Sequence, residues 1–168
     1  MKKLWIAIIA MLLVISGIPA QQAKAAEPNT LETVKQLENG QRSLDGVKIG
    51  MRIQDVLKKN DKPMYSKRPD GKEHYYEFNK KDVTLIVTVK SNKKNTGRVT
   101  AVSMSFNDVS GPMYKDVVRV VDKRAKKHKS YSKYMGSSAY IEGKHVGYQF
   151  GSQSPKEKQP KLYRIDIH

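Results

Sequence analysis

Gly50-Met51-Arg52-Ile53-Gln54-Asp55-Val56-Leu57-Lys58 returns at one offset as Gly111-Pro112-Met113-Tyr114-Lys115-Asp116-Val117-Val118-Arg119. A glycine, an aspartate, two aliphatic residues and a base keep their places in both. A second phrase follows each copy in the same order. Asp70-Gly71-Lys72-Glu73-His74-Tyr75-Tyr76-Glu77-Phe78 and Glu142-Gly143-Lys144-His145-Val146-Gly147-Tyr148-Gln149-Phe150 both fit acid-Gly-Lys-x-x-x-Tyr-x-Phe. Two phrases in one order point to an internal duplication.

Outward from the first copy, Ile53, Val56 and Leu57 share one face of a helix expected over 51–59, which Pro63 ends. Strands are expected at 64–67, 73–78, 83–90 and 98–106, with Arg68-Pro69-Asp70-Gly71 as a turn. In the second copy Tyr114, Val117, Val118, Val121 and Ala125 make an apolar stripe for a helix over 112–127, with proline in its first turn. Strands follow at 139–141, 144–150 and 162–167, one fewer than in the first copy. The pattern predicts an α+β domain of two tandem helix-plus-antiparallel-strands repeats, 44–106 and 107–168, with helices packed on one face of the sheet. Alternation assigns Tyr76, Phe78, Val102, Met104, Tyr148, Phe150, Ile165 and Ile167 to the core. The residues between them face the other way.

The chain opens with Met1-Lys2-Lys3, an apolar run over 4–18, and Ala23-Lys24-Ala25. This is the form of a secretory signal peptide, 1–25, removed after Ala25. Its apolar run is shorter than the roughly 20 residues that span a bilayer. The expected location is therefore secreted, extracellular or cell-wall associated. Residues 26–43 read as an N-terminal arm. Thr30 can cap a short helix bearing Leu31, Val34 and Leu37, but the polar remainder suggests a mobile segment. There is no cysteine, so neither a lipid anchor nor a disulfide can form. The formal charge of +16 falls by three when Lys2, Lys3 and Lys24 leave, and the remaining excess favours anionic partners.

A helix opened by Gly50-Met51 and carrying Asp55-Val56-Leu57, then Pro63, the Gly71-Lys72 turn and the Tyr76-x-Phe78 strand, resembles one superfamily. It is similar to the tandem repeat of the β-lactamase inhibitory protein. Related modules occur in small outer-membrane assembly lipoproteins of the SmpA/OmlA type. The resemblance covers about 44–167 and implies a non-enzymatic bacterial module that binds proteins through its sheet face or loops. Lacking cysteine, this chain departs from both the lipidated and the disulfide-bearing members, which leaves a secreted binding or inhibitory module.

The face left open by the expected helices carries Glu73, Tyr75, Glu77, His145, Gln149 and Arg164, and these form the candidate protein-binding set. The alternative is a basic module that holds anionic cell-wall or membrane polymers through Lys123, Lys126, Lys127, Lys129 and Lys133, interleaved with Tyr131 and Tyr134. Nucleic acid is not the expected partner, and a monomer is expected. Ser130-Tyr131-Ser132-Lys133 fits Ser-x-x-Lys but lacks the companion motifs of a serine acyl enzyme. His74 and His145 sit one alignment step apart without a metal-ligand spacing. No enzyme, cofactor or metal is expected.

Overall fold

Period-two burial, not helical periodicity, dominates the chain. The computed structural model describes residues 29–168; the leader and cleavage site read at 1–25 lie outside them. Helix α1 (Leu31–Glu38) is followed by the short strands β1 (Ser43–Leu44) and β2 (Val47–Lys48), then helix α2 (Ile53–Lys59). Strands β3 (Met64–Lys67), β4 (Glu73–Asn79), β5 (Val83–Lys90) and β6 (Val99–Phe106) come next. Helix α3 (Tyr114–Val118) precedes β7 (Lys126–Ser132), β8 (Gly136–Glu142), β9 (Val146–Gly151) and β10 (Lys161–Ile167). β1 and β2 pair with each other, and the other eight strands form one sheet in the order β3-β4-β5-β6-β10-β9-β8-β7. Two four-stranded meanders thus meet where β6 lies antiparallel to β10, with Val102 opposite Ile167 and Met104 opposite Ile165.

This corrects the expected α+β architecture of two helix-plus-strand repeats. The helices have only eight, seven and five residues, and the molecule is mostly β. The largest departure is in the second half, where the helix expected over 112–127 ends at Val118. Val117, Val118, Val120 and Val121 are β-branched and poor helix formers. Asp122 then bends the chain, its carboxylate accepting the Arg124 amide at 2.8 Å while its own N–H donates to Glu38 at 3.0 Å. The lysine-rich residues beyond pair with β8 along their whole length, from Lys126 opposite Glu142 to Ser132 opposite Gly136.

The core lies on one face of the sheet. Tyr76 and Phe78 of β4, Leu85, Val87 and Val89 of β5, and Val102 and Met104 of β6 are buried there, with Ile141, Tyr148, Phe150, Leu162, Ile165 and Ile167 from the second half. Val34 and Leu37 of α1, Ile53 and Val56 of α2, and Val117 of α3 cover them. The arm read as mobile is therefore docked from α1 onward. Burying two such side chains favours the docked state by about 1.5–3 kcal/mol each. Polar contacts secure it: Thr30 caps α1 by accepting the Thr33 amide, and the Tyr148 hydroxyl donates to the Glu38 carboxylate at 2.9 Å. Burial, reinforced by that carboxylate, pushes the Tyr148 phenol far up, so it stays a neutral donor.

The matched glycine phrases hold comparable places. Arg52 bridges to Arg98 and Met113 to Lys161, so each helix start is tied to the approach to a central strand. The matched Tyr-x-Phe phrases do not. Tyr76 lies on β4, third from the central seam, whereas Tyr148 lies on β9, second from it.

Candidate functional site

The face that none of the described helices covers is built by the alternate residues of the strands that fill the core. Tyr75 and Glu77 of β4, Ile86 and Thr88 of β5, Ser103 of β6 and Arg164 of β10 line a depression of about 500 Å³, closed at its rim by Met64. Apart from the edge strand β3, every element beneath this surface is a strand with its other face buried, so the backbone there is stiff. Met64 is largely exposed, and it sits opposite Glu77 where β3 forms the sheet edge.

Polar contacts orient the lining. The Tyr75 hydroxyl donates to Glu73 at 2.8 Å, and Arg68 and Lys90 lie 3.4 and 3.8 Å from the same carboxylate. The Tyr75 hydroxyl first, then the neighbouring cations, hold Glu73 below the usual carboxylate range, while the Tyr75 phenol is raised by donating to it. Across the seam Arg164 donates to Asp166 at 2.9 Å and to the Ser103 hydroxyl at 3.1 Å. Gln149 continues the chain, donating to Asp166 at 3.2 Å and accepting from Tyr163 at 3.0 Å.

Of the six residues read from alternation, the structure brings Tyr75, Glu77 and Arg164 together. Glu73 lies beside them, in a second depression shared with Arg68, Lys72 and Lys90. Gln149 lines a third, with Tyr140, Gly147, Asp166 and His168. His145 lines none of these three depressions. It belongs to the turn between β8 and β9, where its carbonyl receives the His168 amide.

Sequence reasoning did not single out Met64, Ile86, Thr88 or Tyr163. In β5 nearly every residue is apolar or β-branched, so Ile86 carries no mark that separates it from the buried Leu85 and Val87. Tyr163 escapes for a different reason. A bulge between Leu162 and Arg164 breaks the alternation, and the Tyr163 ring comes to lie over Gly151. The bare Gly151 was the only available signal.

The basic stretch takes another form than a helix end. On β7 the pleat places Lys126, His128 and Ser130 on one side and Lys127, Lys129 and Tyr131 on the other. His128 stacks on Tyr140 at 5.3 Å between centroids. The Lys127 ammonium donates to the carbonyls of Asp122, Lys123 and Ala125 and closes the turn before the strand. Lys126 lies 3.9 Å from Glu142. Lys133 sits over the Tyr134 ring at 4.8 Å, and the Ser130 hydroxyl pairs with that of Ser138, not with Lys133.

His74 is a core residue. Its Nε2 lies 2.9 Å from the Ser91 carbonyl, which only accepts, so Nε2 carries the proton and Nδ1 takes the Tyr65 hydroxyl at 2.8 Å. Among the described residues no group of His, Cys, Asp and Glu is placed to hold a metal ion, and no helix is long and apolar enough to cross a membrane.

Comparison with curated proteins and with solved structures finds no match. A family model does match, and it does so over the whole of residues 1–168. The chain belongs to the SA0570-like family.

Proposed function

We propose that this is a secreted module that binds another protein through its open sheet face and performs no chemistry of its own. The observation that carries the reading is the depression spanning β3, β4, β5, β6 and β10 on a face that none of the described helices covers. Its lining combines the apolar Met64, Ile86 and Tyr75 ring with hydrogen-bonding Thr88, Ser103 and Arg164. Such a mixture suits a large, flat and partly polar surface. The leader pattern at 1–25 supplies the expected export.

Tyr75 is the anchor: a wide ring held in one orientation by Glu73 loses little freedom when it is covered. Tyr75→Ala is expected to weaken binding of the partner by about 1–3 kcal/mol, the range of an interface hot spot. The check is affinity by titration calorimetry against a partner captured at high salt, alongside circular dichroism. Normal affinity in a folded Tyr75→Ala protein rejects the reading.

A further inference from the structure

The end of the β7–β8 hairpin is built unlike the rest of the surface. Tyr131, Tyr134 and Met135 are 60%, 75% and 81% exposed, three large apolar side chains within five residues. They are not on a slack loop. The Ser132 hydroxyl accepts the amides of Tyr134 and Met135 at 3.3 and 3.4 Å. Gly136 follows with φ +80, and a side chain there would lie 2.6 Å from the Ser154 carbonyl, so the loop over 152–160 packs directly against the turn. The Ser137 amide donates to Ser152 at 3.0 Å and its hydroxyl to the Lys158 carbonyl at 3.0 Å. The turn and the loop brace each other, and the exposed side chains project from a fixed base.

Their surroundings are basic. Lys129 and Lys133 flank the turn, and Lys156 follows Pro155, whose carbonyl lies 3.5 Å from the Tyr131 hydroxyl. Among the described residues none of these three lysines forms an ion pair, in a chain of formal charge +16. The tip is a convex three-residue turn, so its apolar side chains enclose nothing. A convex apolar tip ringed by cations fits a surface that yields around it and carries negative charge. Tyrosine and flexible apolar chains settle at the boundary between headgroups and acyl chains, while lysine stems reach back to the headgroups.

We propose that the β7–β8 tip inserts Tyr134 and Met135 into the surface of an anionic lipid bilayer, with Lys129, Lys133 and Lys156 on its headgroups. One turn gives shallow and reversible attachment, weakened by salt. The tip shares no residue with the open sheet face, so Tyr75→Ala leaves attachment unchanged and the two readings fail separately.

The test uses the chain from Ala26 onward, because the apolar run over 4–18 would itself bind lipid and, among the described residues, the core side chains belong to 34–167. Flotation with vesicles of phosphatidylcholine and phosphatidylglycerol in equal parts is compared with phosphatidylcholine alone. Binding to the mixed vesicles only is expected, and the double variant Tyr134→Ser/Met135→Ser is expected to lose about ten-fold in affinity. Trp5 is the chain's single tryptophan and is absent from this form, so Tyr134→Trp reports on the tip alone. Its emission is expected to shift to the blue on the mixed vesicles. Unchanged binding by the double variant, or vesicle binding without an emission shift, overturns the proposal. So does binding to soluble polyphosphate without binding to the mixed vesicles, which assigns the lysines to an anionic polymer instead.

Discussion

Gly50 and Gly111 occupy matching places in the two helix-opening phrases, yet the structure needs each for its own reason. Gly50 adopts φ +86 with open space where a side chain would stand. Gly111 is a point of close approach: a Cβ there would lie 2.0 Å from the Asn29 side chain and 2.5 Å from the Leu162 carbonyl. Gly50→Ala should cost about 1–2 kcal/mol, the strain of a left-handed backbone. Gly111→Ala should cost more, about 3 kcal/mol, as overpacking against a backbone carbonyl that cannot rotate away. Adding Asn29→Ala should relieve the second variant only in part and the first not at all. Urea midpoints at constant slope check this, and equal costs for the two glycines contradict it. A match between residue types was legible in the sequence. What fills the space beside each residue was not, because Asn29 and Leu162 approach Gly111 from opposite ends of the described chain. Tyr75, Glu77 and Arg164 were legible as neighbours on one face, since their strands bury the alternate residues. Tyr163 was hidden by the bulge.

In the large sheet the strands with one buried side announced themselves, and β7, with neither side buried, did not. Strands β4, β6, β9 and β10 alternate visibly because one set of residues packs on the core. Six of the seven residues of β7 are exposed, so no apolar period marks it as a strand. The stripe from Tyr114 to Ala125 therefore ran on unopposed as a helix. The lysines of β7 have a structural use that a helix would not give them. They charge the sheet's edge and discourage pairing with another chain. The neighbouring loop over 152–160 depends on charge in the opposite sense. The Gln153 amide first, then the Lys161 ammonium 3.3 Å away, hold the Glu157 carboxyl below the usual range. A carboxyl depressed in the folded state contributes stability above its unfolded value and loses it as the pH falls through the folded one. Protection of the Gln153 amide from hydrogen exchange, corrected for intrinsic rates, should therefore fall on acidification below the ordinary carboxylate range. In Glu157→Gln it should be low already at neutral pH and change little. A Glu157→Gln protein that retains wild-type protection shows that the carboxylate does not pin the loop.

At the scale of the molecule, the chain closes on itself through contacts distant in sequence. Glu38 of α1 meets Tyr148 across 110 residues, and the same carboxylate receives the Asp122 amide across 84. The first helix thus fastens the second meander, while its own meander begins more than twenty residues later. The pairing of β6 with β10 has a similar reach, since Arg164 and Ser105 lie opposite each other with most of the second half between them. Each meander consists of hairpins and can form locally, whereas the seam cannot close until both are present. Before that moment β6 and β10 are bare edges of similar shape, and any other copy of the chain offers the same two edges. Concentration then decides whether a half finds its own partner or a stranger's. Refolding from urea at high protein concentration should yield a fraction of exchanged dimers, each β6 paired with the β10 of its neighbour, while dilute refolding should yield monomer only. Size-exclusion chromatography with light scattering separates the outcomes, and a monomer at every concentration would show that the seam closes too fast for exchange. A sheet assembled from two locally paired halves carries in its midline both its last contact and its readiest route to entanglement.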